Sequence, residues 1–257
     1  MTTLTHYPFL ILPVSFLVLW LAAWIGAIGF KALRTVIDAQ REDFAVIQGA
    51  TLTLLALIIG FTFSMALTRY DQRKDYEEAE ANAIGTEYVR AAFLPQAEAE
   101  KVRALLVSYT QERILFYTIH DDKELAEINA RTAKLQSELW STIRAPALAQ
   151  PHQVMALVVS GMNDVLNSQG YTQAAWLNRI PVGAWYLLAA LAICATMLVG
   201  VGAHEAKVRH GLFIVLPVVI SIALFLIADI DSPRRGVINV IPQNLELLLQ
   251  SLKLGAP

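Results

Sequence analysis

The chain has 257 residues, 56% of them hydrophobic and 16% charged, with a formal net charge of −2 and a mean hydropathy of +0.48. A soluble domain of this size is nearer 45–50% apolar with about 25% charged residues, so an ordinary soluble globule is excluded. The near-neutral balance implies neither a nucleic-acid-binding surface nor a strongly acidic tail, and the single cysteine, Cys194, excludes an intramolecular disulfide and a cysteine-rich metal site.

Residues 8–30 carry no charge and are long enough to cross a hydrocarbon core of about 30 Å as a helix. Residues 1–7 hold no Lys or Arg, and the apolar run exceeds the usual signal-peptide core, so the sequence predicts a permanent span. Pro13 lies near its start, and Trp20 and Trp24 share one face. A short polar link follows, predicted helical and interfacial through Leu33, Val36 and Ile37. Residues 44–67 form a second uncharged run. No Gly or Pro interrupts the chain between Gly60 and Gly85, so one long helix is predicted to leave the membrane near Arg69 and to end at Pro95.

Residues 96–119 predict an amphipathic helix with Val102, Leu105, Leu106, Tyr109, Ile114 and Tyr117 at helical spacing. A further helix is predicted over 121–143, opened by Asp121 and Asp122 as candidate N-caps. Its inward stripe is Leu125, Ile128, Thr132, Leu135 and Leu139. Pro146 and Pro151 bracket a linker, 152–167 is helical, and Gly170 and Pro181 punctuate the return to the membrane. Uncharged runs at 180–203 and 211–228 give spans three and four. An amphipathic tail helix begins near Pro242 and carries Leu245, Leu248, Leu249 and Leu252. The fold class is thus an all-α integral membrane protein. Its four transmembrane helices form two hairpins, 1–67 and 180–228, flanking an extramembrane helical domain at 68–179, with a tail at 229–257.

Catalytic chemistry is thinly represented. His6, His120, His152, His204 and His210 show no metal-ligand spacing, no nucleophile or phosphate-loop motif occurs, and neither an enzyme nor a cofactor is expected. Acidic pairs such as Glu77–Glu78 are expected to be solvated helix faces. Span two is more informative. Gln48, Thr51, Leu55, Ile58, Thr62 and Met65 fall on one face. Polar groups there flank an apolar constriction, a pattern that can line and gate a pore by dewetting. The same pattern fits membrane-helix packing, in which Thr bonds its own backbone. Gly49 and Gly60 lie on the opposite face and are expected to pack within the bundle. At the other boundary, Asp229, Asp231, Arg234 and Arg235 end span four. With four spans they share a membrane side with Arg69, Asp71 and Arg73. A boundary charge cluster is expected there, since ionisable groups at membrane depth are costly unless paired.

These stretches also carry a family resemblance. GFTFSMALTRYDQR, EEAEANAIGT, FLP and IADIDSPRRG resemble the bestrophin-like family of bacterial four-span membrane proteins, over about residues 45–252. Bestrophins are pentameric, anion-selective channels whose second helix lines a hydrophobic neck. The resemblance implies a homo-oligomer, a pentamer by analogy, conducting inorganic ions, anions by analogy. Leu55, Ile58 and Thr62 would line the neck. It implies the lipid bilayer of the bacterial inner membrane as the location, with the large domain cytoplasmic. Charge around the first span argues for the opposite orientation, because no basic residue precedes it and three follow. The acidic run of the animal calcium clasp is missing, so calcium gating is not implied. The alternative is a non-conducting membrane protein whose extramembrane helices bind a partner or act as a sensor.

Overall fold

The computed structural model describes residues 7–29, 40–202 and 206–254. Among them the regular elements are all helical. In chain order they are α1 (Pro8–Gly29), α2 (Arg41–Arg90), a 3-10 turn (Ala91–Phe93), α3 (Gln96–Thr118), α4 (Asp122–Ala149), α5 (Gln153–Leu177), α6 (Val182–Gly202), α7 (Ala206–Asp231) and α8 (Gln243–Lys253). Four helices are long and apolar enough to cross a membrane, and the protein is a four-span helical membrane protein. The predicted interfacial helix at 31–43 falls largely outside the described residues, as do His6 and His204.

The chain divides into two compact units. Met1–Arg69 with Arg179–Asn239 forms the membrane unit, and Tyr70–Asn178 with Val240–Pro257 forms the second. The predicted tail is therefore divided. Its first part belongs with the spans, and α8 belongs with the extramembrane helices.

In the membrane unit, α1 and α6 cross at very short range. A Cβ on Gly26 would meet the Met197 carbonyl oxygen, and one on Gly200 would meet the Ala23 carbonyl oxygen. Ala22, Ala23, Ala27, Ala192 and Ala195 are buried around them. Small residues let membrane helices approach until their backbones touch, where hydrocarbon outside gives no hydrophobic drive. The glycines expected to do this, Gly49 and Gly60, do not. A Cβ added at either meets nothing. Periodicity places a glycine on a face but cannot say what lies opposite.

The second unit has a conventional core. Val102, Leu106 and Tyr109 of α3, Ile128 and Leu139 of α4, and Val158, Met162 and Val165 of α5 pack with Ile84 and Leu245. The predicted inward stripes are the observed ones, Thr132 included. Asp121 caps α4, accepting from the Lys123 and Glu124 amides at 2.9 and 3.0 Å. Two breaks predicted from punctuation are absent. α4 runs through Pro146, whose ring is buried, and α5 runs through Gly170 to Leu177. A glycine costs a helix only about 1 kcal/mol, less than the burial of Val165, Ala175 and Trp176 on its two sides returns.

Candidate functional site

Three places gather polar or ionisable groups where burial makes them expensive. The first is span two. Its most apolar stretch is 6% buried, against 50% for span four. Val46, Leu54, Leu57, Phe61 and Leu67 are exposed. Of the residues expected to line a path, Leu55 and Thr62 are instead turned into the protomer, 2% and 4% exposed. Gln48, Thr51 and Ile58 are half-buried, and only Met65 is exposed. Gln48 and Phe44 lie beside Gly202 at the end of α6. Thr62 and Thr51 satisfy their hydroxyls on the Ile58 and Ile47 carbonyls at 2.7 and 2.8 Å, the packing behaviour of a membrane threonine. The uncovered face lies about 180° away and carries Val46, Thr53, Leu57 and Ser64, with Phe61 and Thr68 on its flank.

The second is the membrane boundary. Asp231 accepts the Ile180 amide at 3.0 Å and lies 3.9 Å from Arg69. Asp229 is occupied otherwise. Its two oxygens accept the Val237 and Ile238 amides at 2.8 and 2.9 Å, closing the turn that follows α7. Gly236 is required in this turn, since a Cβ there would stand 2.6 Å from the Asp229 carbonyl oxygen. Arg179 lies in the field of both Asp231 and Arg235, and Arg235 stacks 4.7 Å over the Tyr7 ring. Arg69 thus finds Asp231. Arg73 lies in the second unit, buried, with its Nε donating to the Ala175 carbonyl at 3.4 Å. Asp71 is exposed, and Arg234 is half-buried.

The third place is a row of buried charges along α2 in the second unit: Arg73, Glu77, Glu80 and Glu87. Glu77, expected to be solvated, caps α8. It accepts the Leu245 amide at 2.9 Å and the Asn244 side chain at 2.7 Å. Burial raises its pKa, and these hydrogen bonds hold the rise back. Glu80 is fully buried and bidentate with Arg113. The Thr172 hydroxyl donates to it at 3.1 Å and the Tyr117 hydroxyl at 3.5 Å. The Arg113 guanidinium lies 4.4 Å over the Phe116 ring. Burial, the largest single influence, would favour neutral Arg113, but the charge and hydrogen bond of Glu80 together with Tyr109 and Tyr117 outweigh it and the pKa rises. Glu87 differs from the other two. Both of its oxygens are buried without a hydrogen bond, and its carboxylate fills the space a side chain on Gly161 would take. Burial, then the nearby Asp164, push its pKa up to about 8 against the pull of Arg90.

Among the described residues no three His, Cys, Asp or Glu converge as metal ligands. The sequence profile of the bestrophin-like domain matches residues 17–245. The chain belongs to the bestrophin-like family. This bestrophin-like chain also resembles solved structures in fold. A bacterial bestrophin homologue from Klebsiella pneumoniae superposes with a TM-score of 0.66 at 12% identity, covering 95% of this chain and 98% of that one. A single-substitution variant of it gives 0.66 at 11% identity over 94% and 97%. No curated protein matches the sequence. At such identity the fold carries over and side-chain roles do not. The buried charges on α2 left one signal in the bestrophin-like sequence. Arg73, Glu77, Glu80, Ile84 and Glu87 follow each other at three- and four-residue steps, the same face that carries Leu55 and Thr62 in the membrane.

Proposed function

We propose that this chain is one protomer of a bestrophin-like homo-oligomeric ion channel in the bacterial inner membrane, pentameric by analogy, with span two lining the ion path. One observation carries this reading. Span two is an apolar helix that its own protomer leaves almost uncovered, yet its open face is interrupted by Thr53, Ser64 and Thr68. The Thr53 and Thr68 hydroxyls donate to the Gly49 and Ser64 carbonyls at 2.9 and 3.0 Å, as those of Thr51 and Thr62 do on the buried face, and their oxygens keep accepting capacity toward the open side. A face turned to a common axis uses them to wet the path on either side of Leu57 and Phe61, the constriction. The lining therefore moves from Leu55 and Thr62 to this opposite face, with Met65 and Ile58 at its edge.

Purified protein in liposomes is expected to pass ions, anions in preference, as read from the reversal potential. Leu57→Ser and Phe61→Ser are expected to raise flux several-fold by wetting the constriction. Leu55→Ser is expected to lower stability and leave flux unraised. No flux above empty liposomes would favour the alternative, a non-conducting membrane protein that binds a partner or senses a condition. Unchanged flux in both folded serine variants would remove span two as the lining.

The large domain is assigned to the cytoplasm. Ser137 is exposed on α4. A cysteine there, in a Cys194→Ser background, is expected to resist a membrane-impermeant thiol reagent in intact cells and to react after permeabilisation. Labelling of intact cells reverses the orientation.

A further inference from the structure

The membrane unit contains a cavity of about 160 Å³ between α1, α6 and α7. Ile11, Val18, Trp185, Leu188, Ala189 and Leu224 are among the residues lining it. Ser15 is the one hydroxyl in the wall, and it is spent on the Ile11 carbonyl at 2.6 Å. A polar ligand would find no partner here, so the chemistry suits hydrocarbon alone.

Its depth can be read from the helices. At 1.5 Å per residue, Ile11, Trp185 and Leu224 lie about 5, 5 and 10 Å along their helices from the boundary ends at Pro8, Val182 and Asp231. Half of a bilayer core is about 15 Å. The groove therefore opens within the leaflet that adjoins the boundary cluster. That cluster carries a positive excess. By sequence this boundary holds four arginines, Arg69, Arg179, Arg234 and Arg235, against two aspartates, Asp229 and Asp231, and the Asp229 carboxylate accepts the Val237 and Ile238 amides of the turn after α7. Asp231 is left to serve the Ile180 amide, Arg69 and Arg179 together. Arg179 Nη1 and Ser232 Oγ are buried with no hydrogen-bond partner. Arg235 is held at headgroup level by the Tyr7 ring at the start of α1.

We propose that this face of the membrane unit is a binding site for an anionic phospholipid, its phosphate on the Arg179–Arg235 pair and one acyl chain in the groove between α1 and α6. The charge excess selects an anionic lipid over a zwitterionic one, and the groove selects a lipid over a free phosphate. The inference does not rest on conduction, and its test reads binding only.

The test uses the full chain, stripped of lipid in a non-ionic detergent. Dioleoyl phosphatidylglycerol, dioleoyl phosphatidylcholine and inorganic phosphate are added separately. Lipid retention is read by native mass spectrometry, and stabilisation by the melting temperature. Phosphatidylglycerol is expected to be retained about tenfold more tightly than phosphatidylcholine, a difference easily resolved in apparent affinity. Arg179→Gln with Arg235→Gln should abolish that preference, and the paired lysine variant should keep it. Ala189→Trp, which fills the groove and leaves the arginines intact, should lower retention of phosphatidylglycerol. Equal retention of the two lipids overturns the proposal. So does stabilisation by inorganic phosphate matching that by phosphatidylglycerol, or wild-type retention by Ala189→Trp. Should the double glutamine variant fail to fold, the lysine pair and Ala189→Trp still decide.

Discussion

Glu80→Gln is expected to destabilise the extramembrane helices by roughly 3–5 kcal/mol, the cost of leaving a buried charge without its partner. Arg113 would be that charge. Its side chain is completely buried, lies over the Phe116 ring and reaches no water. Glu80 also gathers the hydroxyls of Tyr117 and Thr172, so it joins α2 to α3 and α5. Arg113→Met should cost a similar amount by leaving Glu80 buried and unpaired. The double variant Glu80→Leu with Arg113→Met should recover much of the loss, because a buried ion pair is often no more stabilising than apolar residues of similar volume. Thermal unfolding of the full chain in detergent, followed by circular dichroism, measures all three. The single variants are expected to melt roughly 6–20 °C below wild type. A double variant no more stable than either single would remove the pair as the source of the loss.

The same network marks where sequence reading succeeds and fails. The spans were legible because a bilayer imposes a length and forbids charge, and 8–30, 44–67, 180–203 and 211–228 satisfy both conditions. The long helix through Arg69 was legible because nothing between Gly60 and Gly85 can end it. The sequence reads Glu77 with Glu78 as a solvated face and says nothing of Glu80, since a carboxylate is rarely buried without a partner. The partners of Glu77 and Glu80 are Leu245 and Arg113, 168 and 33 residues away, and pairing at such separation leaves no local pattern. Span two is a different case. Its two faces were separated correctly by periodicity, but the polar face of Gln48, Thr51 and Thr62 turned inward. A polar residue in a membrane helix fits a protein neighbour as well as a pore. The burial of Leu55 and Thr62 favours the protein neighbour for this face. Pro146 and Gly170 were over-read for a simpler reason. Both weaken a helix, and packing along α4 and α5 is strong enough to carry the helix through.

Glu87→Gln is expected to stabilise the protein at pH 8–9 and to leave it nearly unchanged at pH 4.5. In the unfolded chain Glu87 titrates near 4.5, and in the folded protein near 8. Below 4.5 both states hold the proton and no penalty exists. Between 4.5 and 8 the unfolded chain releases its proton while the folded protein retains it. Stability then falls by up to about 1.4 kcal/mol per pH unit. Above 8 both states are ionised and the penalty is constant, on the order of 3–5 kcal/mol. The cause is geometric. Both carboxylate oxygens are buried without a donor. Arg90, one turn along α2, directs a guanidinium nitrogen to the Leu157 carbonyl at 3.3 Å. From α5, Asp164 repels the charged form, and Gly161 offers only its backbone. Denaturant unfolding of wild type and Glu87→Gln at intervals from pH 4.5 to 9 measures the difference. Subtracting one curve from the other removes Glu77, whose raised pKa acts in the same direction and is common to both proteins. The difference should rise through neutral pH and level off above 8. A difference that is flat across the range would mean that Glu87 is ionised in the folded protein throughout, held by Arg90 after all.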